Sequence, residues 1–248
     1  MTLRNSLDAS NPDAGIQDSE SGEFENFIYL ISHDVRNSVR ALLELPQWID
    51  EDLRASGAAI PAAVAENIKL MNTHTRRLDR MLIDLLIYSR IGRMQSSGTI
   101  EWGGVIDTIL DQIQVPTGFR ILRDIRAPTI RMGETDVLTL VSSLVSNAIK
   151  HHDRDTGTIR IATKEVDGRQ VLTIADDGPG IPRKYHEKVF EVMTTLKPRD
   201  QVEGSGMGLA NVRKIAQIYG ATIAWRPVAG DRGCRIDISF PVQKPPLH

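Results

Sequence analysis

The sequence predicts an α+β protein: an N-terminal antiparallel helical hairpin that pairs into a dimeric four-helix bundle, followed by a C-terminal α/β sandwich. Three observations carry this. Two apolar heptad stretches lie close together near the start. Two strand-like runs joined by Asp167-Gly168 follow later. Around them stand longer runs with helical period, which place helices on one face of a mixed sheet.

Residues 1–22 are rich in Ser, Asn, Asp and Gly and mostly acidic, so they read as a disordered tail. From residue 23 the period turns helical. Ile28, Ile31, Val35, Leu42, Leu45 and Ile49 step by threes and fours, with Ser38 the polar interruption. Val64, Ile68, Met71, Leu78, Leu82 and Leu85 repeat the pattern, interrupted by Thr75. Gly57 ends the first stretch and Pro61 opens the second. A hairpin alone has a thin core, and pairing two of them covers both seams; packing on its own chain is the alternative. The hairpin runs to residue 93, and a polar hinge over 94–99 contains Ser-Ser-Gly.

The sandwich covers 100–243, with a short tail over 244–248. Residues 104–114, 134–151 and 208–219 read as helices. Residues 158–165, 170–175, 221–225 and 234–240 read as strands.

Bulk composition narrows the class. The 248 residues are 41% hydrophobic with net charge -2, which suits one or two domains without a strongly basic nucleic-acid face. One cysteine, Cys234, excludes an intramolecular disulfide and a cysteine-rich zinc cluster. No apolar run approaches the roughly 18 residues of a membrane span, and no basic-then-apolar leader opens the chain. Taken as a complete chain, it would be expected to be a cytoplasmic protein without membrane insertion or a large sensor domain.

Four segments carry chemistry. His33 falls at position f of the first heptad, facing solvent, where a neutral ring nitrogen is a competent nucleophile. Asp34 follows as a candidate base, and Asn37 sits one turn on, on the same face. A lone histidine there is equally an ordinary surface residue; the downstream motifs give it weight. Ser143, Asn147, Lys150 and Arg154 share one helix face, an amide and an ammonium suited to magnesium and phosphates. Asp176-Asp177-Gly178-Pro179-Gly180 ends a strand-like run, and its glycines admit a planar ligand, although such pairs also make plain turns. Gly204-Ser205-Gly206-Met207-Gly208-Leu209 opens a helix and offers backbone amides as an anion cradle.

In this order the segments resemble those of two-component sensor histidine kinases. Phe27 to Ser38 is similar to their H-box, and the other three to the N, G1 and G2 boxes of the GHKL (Bergerat) ATPase fold. The resemblance implies ATP and Mg2+ as cofactors, and His33 as phosphoacceptor, with Asp34 the general base and Asn37 assisting phosphatase activity. It implies Asn147 as the metal ligand and Asp176 as the adenine contact. Gly178, Gly180, Gly204, Gly206 and Gly208 would shape the site with Met207 and Leu209. Lys150 and His151 would lie near phosphates and sugar. Val189-Phe190-Glu191 resembles the F box, and residues 184–205 the mobile lid, in which Lys197 and Arg199 either reach the γ-phosphate or stay solvated. Two positions depart from the family: Ser38 replaces the usual proline after the histidine, and Ser143 a second asparagine. Gly233-Cys234 stands where Gly-Thr is frequent.

The implied function is ATP-dependent histidine autokinase, passing its phosphoryl group to a response-regulator receiver domain, with phosphatase activity. The implied partners are a second copy of the chain, that receiver domain and a separate sensor protein. The alternative is a histidine phosphotransfer or scaffold protein with a degenerate nucleotide domain. An anti-sigma-type serine kinase or gyrase-type ATPase fits less well: neither brings a histidine-bearing hairpin, and the latter wants a glutamate where Ser143 stands.

Overall fold

The computed structural model describes residues 13–57, 59–93, 95–197, 204–228 and 232–241, and describes no side chain at 13–30 or 32–34. The chain divides into two compact units, Met1–Ser89 and Arg90–His248.

The first unit holds two helices, α1 (Asp13–Ala55) and α2 (Ala62–Arg90). α1 begins inside the stretch read as tail; residues 1–12 lie outside the described residues. Gly57 takes a left-handed φ of 67° in the connection. The Pro61 carbonyl then accepts from Val64 and Ala65 and starts α2. α2 buries Ile68, Leu82, Leu86 and Ser89, and α1 buries Val39 and Pro46. Arg36 pairs with Asp79 across the hairpin at 3.6 Å.

The seam expected on α1 is uncovered in the single hairpin. Ile31, Val35, Leu42, Leu45 and Ile49 are exposed, as are Val64, Met71 and Leu78 on α2. Each helix therefore carries a second apolar stripe beside the one inside the hairpin. Thr75 does not break its stripe, because its hydroxyl donates to the Met71 carbonyl at 2.8 Å. The family's bending proline is missing at Ser38, but Pro46 lies inside α1 roughly two turns further on. There it removes one backbone donor from the helical ladder.

The second unit starts at Arg90, ahead of the polar hinge read over 94–99. Gly92 N–H donates to Asp136, and the Thr135 N–H donates to Gln95 Oε1 at 3.0 Å. β1 (Gly98–Glu101) pairs antiparallel with β3 (Thr129–Met132). Gln95 and residues 98–99 are thus bonded into this unit, while Met94 lies outside the described residues.

Next come α3 (Trp102–Ile113), β2 (Phe119–Ile125), α4 (Glu134–Lys150), β4 (Gly157–Val166) and β5 (Arg169–Asp176). After two 3-10 turns, at Arg183–Tyr185 and Lys188–Phe190, follow α5 (Gly208–Ile218), β6 (Thr222–Trp225) and β7 (Cys234–Pro241). The five-stranded sheet has the order β2-β4-β5-β7-β6, with β2 parallel to β4 and the other neighbours antiparallel. Asp167 and Gly168, at φ 50° and 66°, form the tight β4–β5 turn that Asp-Gly favours.

α4 buries Val137, Leu140, Val141, Leu144, Val145 and Ala148, spaced three and four apart. The sheet meets that stripe with Ile159, Ile161, Leu172, Ile174, Ile236, Ile238 and Phe240. Each such side chain contributes about 1.5–3 kcal/mol of burial. Among the described residues no helix is long and apolar enough to cross a membrane. The packing fixes two facts for function. It turns the polar face of α4 toward the start of α5, and it ends β5 at Asp176 beside the start of β7.

Candidate functional site

The site assembles from the C-terminal half of α4, the end of β5 and the loop that opens α5. The Asn147 side chain lies against Gly208, the first residue of α5: a Cβ there would be 3.5 Å from Asn147 Nδ2 and 3.6 Å from Oδ1. Ser143, one turn earlier, is the next neighbour at 3.8 Å. One amide and one helix N-terminus, with its unpaired N–H groups, thus share a corner.

The glycine loop before α5 packs closely on the backbone of Met193 and Thr194. Gly206 adopts φ 79°, and a Cβ on it would come 2.6 Å from the Thr194 carbonyl oxygen. Only glycine allows that approach. Ser205 Oγ accepts the Met207 N–H at 3.2 Å. Gly204 has open space around it. Met207 is wholly buried and Leu209 packs against the core, so Met207 acts from beneath the loop. Phe190 is likewise a core residue, 5.8 Å from the ring of Trp225.

At the end of β5, Asp176 Oδ1 accepts the Gly178 N–H at 3.0 Å. Burial raises its carboxyl pKa, against the lowering effect of the Gly178 and Cys234 amides. Such a half-buried carboxylate is a strong acceptor for an exocyclic amino group. Gly178 accepts from Gly233 N–H at 2.8 Å, and Gly180 backs onto the Gly233 carbonyl. Gly233 has φ 104°, and any Cβ on it would collide with the Asp176 carbonyl. Burial, then the Asp176 charge, pushes the Cys234 thiol up to about 12, so it stays protonated and unreactive at neutral pH.

A cationic group flanks the corner. Burial first, then Lys197 and Lys150, hold the His151 pKa below its ordinary value. Both lysines thus act on His151. Arg199 lies outside the described residues, as do the rest of 198–203 from the expected lid. His33 and Asp34 are in α1 with their side chains outside the described residues; Asn37, on the same helix, is exposed.

Among the described residues no group of three or more His, Cys, Asp or Glu could hold a metal ion. The donor set suits a nucleotide: an amide, an N-terminal cradle, a carboxylate, two ammonium groups and a neutral imidazole.

Comparison with known proteins agrees. Residues 132–244 match the family described as histidine kinase-, DNA gyrase B-, and HSP90-like ATPase. Over those residues the chain is similar to this ATPase family. Similarity to curated proteins reaches further, into the hairpin. Cyanobacterial phytochrome A of Nostoc sp. is 25% identical over 90% of this chain and 29% of its own length. The methanogenesis regulatory histidine kinase FilI of Methanothrix harundinacea is 27% identical over 92% of this chain and 26% of its own. The chain thus spans under a third of these curated relatives. Among solved structures, full-length ShkA in complex with AMPPNP shares the fold, with a TM-score of 0.65 at 19% identity over 87% of this chain and 45% of that one. The mycobacterial sensor histidine kinase MprB gives 0.51 at 25% identity over 58% of this chain and 97% of that one.

The sequence motifs of the ATPase domain left out one residue that the structure makes prominent. His152 has a side chain only 1% exposed beneath the Gly178 loop. Nothing in the pattern His151-His152-Asp153 separates it from its neighbour, and only the direction of the chain after α4 does so.

Proposed function

We propose that this chain is an ATP-dependent protein histidine kinase of a two-component system, with His33 as phosphoacceptor. The observation that carries the reading is the corner where Asn147 meets Gly208 at the start of α5, with Asp176 at the end of β5. These groups suit the two ends of one nucleotide. Asp176 would accept from the adenine amino group. The α5 N-terminus, Lys150, His151 and Lys197 would face the phosphates, joined by Arg199. Asn147 would hold Mg2+, whose charge offsets that of the phosphates when bound.

The transfer asks mainly for position and charge. A ring nitrogen of His33 attacks the γ-phosphorus, the bond to the bridging oxygen breaks, and ADP leaves. The ring proton passes to Asp34. The group then moves to an aspartate on a receiver domain, and Asn37 would orient water for phosphatase turnover. The exposed second stripes on α1 and α2 favour a homodimeric four-helix bundle, because they repeat the heptad spacing of the buried ones. A separate sensor protein would supply the stimulus, and the reading places the kinase in the cytoplasm, without nucleic acid or membrane insertion.

Incubation with Mg-ATP labelled at the γ-phosphate tests this, alongside His33→Gln and Asn147→Ala. Label that is acid-labile, base-stable and absent from both variants is the expected result. Label persisting in His33→Gln sinks the acceptor assignment. Nucleotide binding without label in the wild type would favour a phosphotransfer or scaffold role.

A further inference from the structure

The inference that follows rests on the nucleotide reading and deepens it at the base end of the site. The His152 ring stands edge-on to Phe119, with centroids 5.1 Å apart and planes at 81°. Its Nε2 lies 3.1 Å from Asp177 Oδ1, and the same oxygen accepts the Thr158 N–H at 2.7 Å. A carboxylate oxygen can only accept, so Nε2 carries the hydrogen. Nδ1 meets the Arg154 backbone, with the N–H at 3.2 Å and the carbonyl at 3.1 Å. Backbone closes over the ring from two sides. A Cβ on Gly157 would fall 2.7 Å from Nε2, and one on Gly178 would fall 3.1 Å from Cδ2.

The neighbours of His152 extend the tie. Asp153 takes a two-pronged pair from Arg232, at 2.7 and 3.1 Å. Gly233, the next residue, donates to the Gly178 carbonyl. Three loops are closed on one another: the loop after α4, the loop after β5, and the lead into β7. Asp176 sits at their junction and takes its own Gly178 N–H from the loop that His152 supports.

We propose that His152 is the positioning residue for base recognition, pinning Asp177 and supporting Gly178 so that Asp176 is held at the angle that selects an adenine over a guanine nucleotide. The chemistry is direct. Adenine presents an amino donor at its six-position and guanine a carbonyl acceptor. A fixed carboxylate rewards the first and repels the second. A carboxylate free to turn loses that contrast, because it can retreat from the carbonyl.

The test is calorimetric titration of the full chain with nonhydrolysable adenosine and guanosine triphosphate analogues and magnesium. His152→Phe keeps the ring on Phe119 but removes the donor; His152→Gln keeps an N–H at similar reach. His152→Phe is expected to weaken the adenosine analogue about tenfold, the size of one hydrogen bond to a charged group, and to shrink the adenosine-to-guanosine ratio. His152→Gln should stay within about threefold of wild type. Asp177→Ala should match His152→Phe, and the double variant should be no weaker than either. An unchanged ratio in His152→Phe overturns the proposal, even if both affinities fall, because that pattern marks packing alone. If His152→Phe does not fold by thermal melt, the ratio in Asp177→Ala decides in the same way. A wild type that binds neither analogue overturns the nucleotide reading, and this one with it; a wild type that binds, with unchanged variants, overturns this one alone.

Discussion

His151 is the residue at which local electrostatics and folding meet. It caps the end of α4, and burial, reinforced by Lys197 and Lys150, holds its pKa below 6.5. The unfolded chain therefore binds more protons than the folded one between the depressed value and 6.5. Stability is fully present above 6.5 and falls as pH drops through that window. His151→Gln removes this proton uptake. Its stability should thus decline less than that of the wild type between pH 7 and pH 5. Urea melts of both proteins across that range measure it; parallel pH profiles would show that the cationic group is not closed around His151. The same closeness suits the phosphate end of the proposed site, since a bound anion would relieve the repulsion that depresses the histidine. Cys234 carries a different lesson. Its thiol, pushed up to about 12, marks the base end as enclosed and anionic rather than reactive.

At the scale of elements, the ends of α4 and α5 are tied to the segment that leads into the second unit. Asp136, 1% exposed in the first turn of α4, accepts from Tyr219 Oη at 2.7 Å and from Gly92 N–H at 3.1 Å. Tyr219, just after α5, accepts the Gly133 N–H at 3.0 Å, and its phenol is pushed up to about 12 by burial and by Asp136. Tyr219→Phe removes a donor from a buried carboxylate and an acceptor from a backbone amide. It should cost about 1–3 kcal/mol, read as a lower Tm, while His33 labelling per folded molecule is retained. An unchanged Tm would mean that water replaces the hydroxyl. The sequence showed the elements this network joins far better than the network. α4, α5 and the β4–β5 hairpin were legible because each is long, periodic and bounded by turn residues. β1 and β3 have four residues each, too few to display a period, and exist because they pair with each other. β2 was hidden by Arg120, Arg123 and Asp124, charges tolerated at a sheet edge whose one neighbour is β4. The glycine loops were legible as motifs, yet Asp136, Tyr219 and His152 carry no local signal. Their partners are 83 and 25 residues away in sequence, and tertiary packing alone brings them together.

Across the whole molecule the two units differ in how they bury apolar surface. The second has its own core, a single cluster running from Ile91 to Phe240 that spans the sheet, α3, α4 and α5. The described residues of that cluster are buried without a partner chain. The first is two long helices with Val39, Ile68, Leu82 and Leu86 as its buried apolar residues among those described, and with Ile31, Leu42, Leu45, Ile49, Leu70, Met71 and Leu78 left in water. A hairpin with so little interior cannot offset the entropy of ordering its helices, which is of order 1–2 kcal/mol per residue for the backbone alone. A second copy laid on the exposed stripes would offset it, which makes the stability of this unit a function of protein concentration. The two units should therefore melt differently. A fragment spanning 90–241 should unfold at a Tm independent of concentration. The hairpin, residues 13–89, should lose helical circular dichroism on dilution, and its Tm should rise by several degrees per tenfold increase in concentration. Leu45→Glu with Leu78→Glu places charges on both stripes and should abolish that dependence by leaving the hairpin unfolded throughout. A hairpin whose helix content and Tm ignore concentration would fold without a second copy, and the dimer argument would fall.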